Sequence, residues 1–177
     1  ALILRRGLGR NAVLGSHIIT DGSLSRDTGV RYGGTVLPIE TLPEETLGKL
    51  RAHGNRSLCV FDAEHMKTRL NEVSMPNWLT CIDRALEKSG ATRADIDFLN
   101  VLHFKRSMHD GLLETLGLGP GQAVYLEDYG HAGQVDFMVS LHEGLRQERL
   151  KDGDLMVAIA AGIGYVWGAT VVRWGEV

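Results

Sequence analysis

Residues 155–174 read LMVAIAAGIGYVWGATVVRW. Two apolar runs, 155–161 and 165–174, flank the tripeptide Gly162-Ile163-Gly164. Apolar runs that are joined by a short, glycine-containing turn are typical of a β-hairpin. We therefore predict two adjacent antiparallel strands at this end of the chain.

Upstream of the hairpin, segments with strand and helix patterns alternate. Apolar residues that recur every three or four positions predict helices, and short apolar or β-branched runs predict strands. Helices that alternate with buried strands indicate the α/β class. The predicted strands are 1–6, 12–20, 98–102 and 123–126, and the predicted helices are 40–53, 62–73, 76–88, 107–116 and 132–148, with a long surface loop at 21–38.

Length and composition indicate one soluble domain that covers residues 1–177. The chain is 44% hydrophobic and 23% charged, which excludes a disordered, collagenous or coiled-coil protein. A net charge of −3 gives no basic excess, so we expect neither a nucleic acid nor a membrane as partner. Two isolated cysteines indicate a reducing compartment, and we expect a cytoplasmic protein.

Two of the seven histidines, His103 and His131, stand where a strand or its following loop leads into a helix. In α/β proteins this edge of the sheet binds ligands, although a purely structural role stays open for either residue alone. A neutral imidazole can both donate a hydrogen bond and act as a base. The other histidines are predicted to lie on the surface or to pack, with His109 on the surface of a helical first turn.

Gly162-Ile163-Gly164 has two interpretations. It is either a plain hairpin turn or an oxyanion site, because flanking glycines let a backbone N–H approach a substrate oxygen. No nucleophile motif accompanies it, and Cys59 and Cys81 are predicted to lie in the core. Phosphate-loop, dinucleotide and zinc-protease motifs are also missing, so we expect no nucleotide cofactor and no metal.

Four segments together resemble the β-ketoacyl-acyl-carrier-protein synthase III family of the thiolase superfamily. Residues 153–174 resemble its C-terminal signature, and Asp21-Gly22-Ser23 resembles its Asp-Gly-Ser loop. Leu102-His103-Phe104-Lys105-Arg106 falls where the family carries His-Gln-Ala-Asn, and Tyr129-Gly130-His131-Ala132-Gly133 where it carries Tyr-Gly-Asn-Thr-Ser. The resemblance extends in order through essentially the whole chain.

The resemblance implies a thiolase-like fold, in which this chain is the C-terminal βαβαβαββ half with helices packed on a mixed sheet. The nucleophilic cysteine of the family lies on the N-terminal half, so we expect that half to be missing here and the chain to start within a strand. His103 then corresponds to the catalytic histidine, and His131 takes the place of the catalytic asparagine. Ile163, between Gly162 and Gly164, would present a backbone N–H to the oxyanion.

The implied activity is a decarboxylative Claisen condensation of fatty acid or polyketide type, catalysed by an acyltransferase that needs no cofactor. Its substrates would be thioesters of CoA or of an acyl carrier protein, and its partners the N-terminal half and a second copy in a homodimer. The isolated fragment is expected to be inactive. Phe104-Lys105-Arg106 and Met108, where the family has Gln-Ala-Asn and a carrier-docking arginine, leave the acyl donor open. The alternative is a non-catalytic partner subunit of a condensing enzyme.

Overall fold

A computed structural model describes residues 3–34, 37–53 and 58–176. Its main sheet has four strands, which are β1 (Arg10–Thr20), β4 (Phe98–Val101), β5 (Leu155–Gly162) and β6 (Val166–Glu176). Their order in the sheet is β1-β6-β5-β4. β1 pairs antiparallel with β6, β6 pairs antiparallel with β5, and β5 pairs parallel with β4, so the predicted mixed sheet is confirmed.

The hairpin that we predicted from 155–174 is formed by β5 and β6, which are joined through residues 163–165. The sequence also predicted the helices that flank β4 and β5. The helices are α1 (Glu44–His53), α2 (Ala63–Lys88), α3 (Arg106–Leu116) and α4 (Asp136–Arg146). Gly117 ends α3 in the left-handed conformation with φ 74°, which a glycine adopts without strain. Leu112, Leu113 and Leu116 form the buried face of that helix.

One hydrophobic cluster lies against the carboxyl-terminal helix α4. It consists of five buried residues and includes Phe98 of β4 and Met156 of β5. Gly144 of α4 lies so close to the Phe98 ring that an added Cβ would be 2.5 Å from its Cζ. The missing side chain therefore allows α4 to pack closely on β4. The cluster is Phe98, Val124, Leu126, Leu150 and Met156.

Four expectations about local structure were wrong. Residues 3–9 are not a strand, and residues 1 and 2 lie outside the described residues. The strand at 123–126 is reduced to a single parallel bridge between Ala123 and Leu99, so the order is still βαβαβαββ with a minimal third strand. Helix α2 continues through Pro76 instead of restarting there. Part of the expected loop 21–38 forms β2 (Thr28–Val30), which pairs with β3 (Leu58–Val60), while residues 35 and 36 lie outside the described residues.

Tertiary contacts divide the chain into two compact units. The first comprises residues 3–20, 73–162 and 166–176 and contains the four-stranded sheet. The second comprises residues 21–72 and 163–165 and contains the two-stranded sheet. In the part of the chain that the structure describes, no helix is both long and apolar enough to span a membrane.

Candidate functional site

The carboxyl ends of β4 and β5 form one edge of the sheet, because these strands run parallel with Val101 opposite Ile159. His103 follows β4 by two residues and precedes α3. Gly162 ends β5, and a Cβ added there would lie 3.7 Å from Nε2 of Gln134 in the loop that follows His131. The two predicted histidine segments therefore meet the sheet at the edge where α/β proteins bind ligands.

His103 is half-buried. Its backbone N–H donates to Oδ2 of Asp136 over 2.9 Å. Its ring lies 5.1 Å from the Tyr125 ring, and its Nδ1 is buried without a hydrogen-bond partner among the described residues.

His131 is held by the same carboxylate. Its Nδ1 lies 2.5 Å from Oδ2 of Asp136, while its side chain is 57% exposed. The Asp136 side chain is fully buried at the first residue of α4, and its Oδ1 accepts the N–H of Ala132 over 2.6 Å. One buried carboxylate thus connects the His103 segment to the His131 segment.

The ionised form of Asp136 is favoured in this position. Burial by itself raises the pKa of a carboxyl group, but the N–H of His103, the ring of His131 and the N–H of Ala132 all lower it. The pKa of Asp136 therefore lies below its usual value. The start of α4 adds a favourable helix dipole for a negative charge.

The loop that carries His131 is fixed from both sides. The Tyr129 hydroxyl donates to Oε1 of Glu143 over 2.9 Å, and Gly130 adopts φ 66°. Glu143 also accepts hydrogen bonds from Arg146 and Gln147, and these bonds, with Arg146 the largest cause, lower its pKa to about 2. Glu143 is therefore ionised throughout the physiological range and anchors Tyr129.

An aromatic cluster surrounds the segment after His103. Phe104 stacks on Trp78 at 4.9 Å between ring centroids, and Tyr125 donates its hydroxyl proton to the Phe104 carbonyl over 3.2 Å. His109 meets the Tyr125 ring edge-on at 5.2 Å and is 5% exposed, so the expectation that it lies on the surface is wrong. Burial lowers the pKa of His109 and keeps it neutral at pH 7.

A cavity of about 240 Å³ lies beside this cluster and is lined in part by His109, Tyr125 and Arg106. The Arg106 guanidinium lies 4.8 Å from the centroid of the Tyr125 ring, a cation–π contact, and pairs with Asp110. Arg106 and Tyr125 thus form a cationic and aromatic part of the wall of this cavity.

The predicted oxyanion turn belongs to the second compact unit. Ile163 is 65% exposed, and Gly164 has φ 100°, a conformation that needs glycine. The Asp21 N–H donates to the Tyr165 carbonyl over 2.9 Å, which joins the Asp-Gly-Ser loop to this turn. Hydrogen bonds from Ser23, and then from Arg69, lower the pKa of Asp21. The roles assigned to Ile163 and its two glycines stay predictions.

The cysteines of the chain differ in environment. Cys81 on α2 is fully buried, and its thiol donates to the Trp167 carbonyl over 3.4 Å. Burial raises the pKa of the Cys81 thiol, which disfavours the thiolate needed for nucleophilic attack. Cys59 is half-buried on β3 in the other unit. Among the described residues, no three His, Cys, Asp or Glu side chains are grouped so that they could hold a metal ion.

Sequence reasoning missed Asp136. It lies inside the predicted helix 132–148, where an acidic residue is usually exposed to solvent and gives no sign of a site. The available signal was its position five residues after His131, which lets a loop fold back on the first turn of the helix. Its contact with His103, 33 residues away in the chain, is tertiary and has no local signature.

Comparison with known proteins identifies the family. Residues 86–174 match the family described as 3-oxoacyl-[acyl-carrier-protein (ACP)] synthase III C terminal. The chain belongs to this family. Its matched region includes both candidate histidines and the carboxylate that holds them.

Curated synthase III relatives support the assignment. The chain is 39% identical over 94 residues to β-ketoacyl-[acyl-carrier-protein] synthase III of Symbiobacterium thermophilum, covering 52% of this chain and 28% of that protein. It is 27% identical over 171 residues to the synthase III of Microcystis aeruginosa, covering 94% of this chain and 47% of that protein. The chain thus spans about half the length, or less, of the curated relatives it matches.

Solved synthase III structures share the fold. The enzyme of Thermus thermophilus superposes with a TM-score of 0.70 at 23% identity, covering 99% of this chain and 49% of that one. The Aquifex aeolicus enzyme superposes with a TM-score of 0.69 at 19% identity, covering 96% of this chain and 46% of that one. The fold is therefore thiolase-like, as the resemblance implied, with helices on a mixed sheet.

Proposed function

We propose that this chain is the C-terminal catalytic half of a 3-oxoacyl-[acyl-carrier-protein] synthase III-like acyltransferase. The observation that carries the proposal is the pair His103 and His131, both held by Asp136 at the carboxyl edge of β4 and β5. Membership of the synthase III family supports a condensing reaction. The substrates would be an acyl thioester and a malonyl-type thioester.

The two histidines would act on the malonyl-type thioester. Its carboxylate leaves as CO2 when the C–C bond breaks, and the electron pair stays on the α-carbon as an enolate. The enolate carbon attacks the carbonyl of an acyl group carried on a cysteine, and that cysteine leaves as thiolate. Positioned imidazoles stabilise the charge that develops on the thioester oxygen. The N–H of Ile163 is proposed to serve the acyl oxygen.

The nucleophile in this proposal lies outside these 177 residues. The buried Cys81 thiol is unsuited to attack, and the curated relatives are about twice as long as the chain or longer. The proposed partners are an N-terminal half with a cysteine, a second copy in a homodimer, and thioesters of CoA or of an acyl carrier protein. We also propose that the protein acts in the cytoplasm, that it serves fatty acid synthesis, and that the reaction needs no cofactor.

A chimera tests the proposal. The N-terminal half of the Symbiobacterium thermophilum synthase is fused to residues 1–177, and condensation of acetyl-CoA with a malonyl thioester is measured. We expect turnover that His103→Ala and His131→Ala lower by about 10²-fold or more, since a positioned acid–base group contributes roughly 10²–10⁴-fold. His142→Ala, an exposed histidine on α4, is the matched control and should keep the rate.

Three further results would count against the proposal. Turnover that is unchanged in His103→Ala would refute the catalytic assignment. A folded chimera without turnover, together with binding of the isolated chain to an intact synthase, would favour the non-catalytic partner subunit. The isolated chain should gain no acyl mass after incubation with acetyl-CoA, and a stable acetyl adduct would place the nucleophile within these residues.

A further inference from the structure

Asp136 is positioned to determine which ring nitrogen of His131 carries the proton. The Asp136 carboxylate is fully buried, and its pKa is lowered, so it is an acceptor without a proton to give. All three of its close partners therefore have to be donors. Two of them are backbone N–H groups, those of His103 and Ala132, and the third is Nδ1 of His131.

A neutral imidazole carries one proton, and the hydrogen bond of one ring nitrogen determines the state of the other. With Nδ1 of His131 2.5 Å from a carboxylate oxygen, the proton resides on Nδ1. The other nitrogen, Nε2, is left with a lone pair. The His131 side chain is 57% exposed, so a bound molecule can reach it.

From this geometry we infer that Asp136 is a positioning residue that makes His131 a proton acceptor at Nε2. Neutral His131 then cannot donate a hydrogen bond from Nε2 to a substrate carbonyl. After Nε2 has taken a proton from solvent water, the imidazolium can donate a hydrogen bond to the thioester oxygen, and the adjacent carboxylate balances its charge. The catalytic use of His131 in a condensation rests on the proposed function. Which ring nitrogen of His131 carries the proton does not depend on that function.

The two histidines therefore differ. Asp136 reaches His103 only through the backbone N–H, and Nδ1 of the His103 ring has no partner among the described residues. No carboxylate among the described residues fixes the protonation site of the His103 ring in the same way. Of the two histidines, His131 is thus the one whose Nε2 is set up as an acceptor.

The direct test measures the ring nitrogens of His131 by ¹⁵N NMR in the ¹⁵N-histidine-labelled protein, at a pH where the imidazole is neutral. The His131→Gln variant assigns the signals by removing them. We expect Nδ1 to show the shift of a protonated nitrogen and Nε2 that of an unprotonated one. The reverse pattern, or an even mixture of the two tautomers, would overturn the inference without any variant of Asp136.

A matched pair of variants tests the cause. Asp136→Asn removes the charge and leaves one oxygen where two accepted three donors, so the preference of His131 for Nδ1–H should weaken. Asp97→Asn is the control, because Asp97 also accepts a backbone N–H, that of Leu155 over 2.8 Å, and forms no hydrogen bond with His103 or His131 in the described part of the chain. An unchanged preference in folded Asp136→Asn would refute the role of Asp136.

Activity separates this inference from the proposed function. In the chimera, Asp136→Asn should lower kcat about 10²-fold with little change in KM, as expected when a group that stabilises the thioester oxyanion is no longer held in place. If the proposed function fails, His103→Ala and His131→Ala both leave the rate unchanged, whereas the protonation site of His131 is still measured. If only the inference fails, the histidine variants lose activity and Asp136→Asn retains it.

Discussion

Gly144 is the residue at which one methyl group should change the stability most clearly. A Cβ added there would lie 2.5 Å from Cζ of Phe98 and 3.1 Å from both Cε atoms. The Phe98 ring is fully buried in β4 among the cluster that supports α4, so it has no free space into which to move. Gly144→Ala therefore forces α4 and β4 apart or pushes the ring out of its rotamer.

The magnitude follows from two opposing effects. Replacing a glycine by alanine inside a helix normally stabilises by about 1 kcal/mol. Overpacking of a filled core costs about 1–3 kcal/mol, and contact with three atoms of a rigid ring places this site at the upper end. We expect a net loss of about 1–2 kcal/mol in the free energy of unfolding, a substantial part of the roughly 5–15 kcal/mol of a typical domain.

Gly111→Ala is the matched control, since Gly111 lies inside α3 and an added Cβ meets nothing within 4 Å. It should stabilise by about 0.5–1 kcal/mol, the helix-propensity gain alone. Urea unfolding followed by circular dichroism gives both midpoints at a common slope. Equal upward shifts of the midpoint in the two variants would refute the packing of α4 on Phe98.

Three other substitutions test the electrostatics and the backbone. Folding lowers the pKa of Glu143 from 4.5 to about 2, mainly through its hydrogen bonds with Arg146. The ionised Glu143 side chain therefore stabilises the fold fully above pH 4.5, and this stabilisation is lost as the pH falls towards 2. Acid titrations should therefore show wild type and Glu143→Gln converging over this range, and a constant difference would contradict the pairing. Burial lowers the pKa of His109 below 6.5, so the unfolded chain binds more protons and stability falls as the pH drops below about 6.5. Urea midpoints measured between pH 7.5 and 5.5 should therefore fall less with decreasing pH in His109→Gln than in wild type. The same dependence of the midpoint on pH in both proteins would count against the burial of the ring. Gly175→Ala should destabilise by about 1–2 kcal/mol, since φ is 78° and a Cβ would lie 2.5 Å from the Asp152 carboxyl carbon, and an unchanged melting temperature would contradict this.

The local signals in the sequence were sufficient for the elements that position His103. The apolar run of β4, the amphipathic pattern of α3 and Gly117 at its end all lie within about 20 residues of each other. The hairpin of β5 and β6 was equally local. Because each depends on neighbours in the chain, periodicity and turn residues predict them.

The features that the sequence did not predict depend on tertiary packing. The burial of His109 results from Tyr125 and Phe104, which a helix pattern cannot place. The run 123–126 has strand composition, but only Ala123 pairs with Leu99. Pro76 removes one backbone donor from α2, yet the helix continues, and Trp78, Cys81 and Ile82 after it are buried. Asp136 likewise becomes recognisable only when His103 and His131 lie beside it.

The action of His103 and His131 on the malonyl-type thioester can be measured without the condensation step. The measurement is the release of CO2 from a malonyl thioester by the chimera, followed separately from acyl loading of its cysteine. We predict that His103→Ala lowers CO2 release by about 10²–10⁴-fold, while acyl loading and the rate of His142→Ala stay near those of the parent chimera. Equal rates of CO2 release in His103→Ala and His142→Ala would contradict the account.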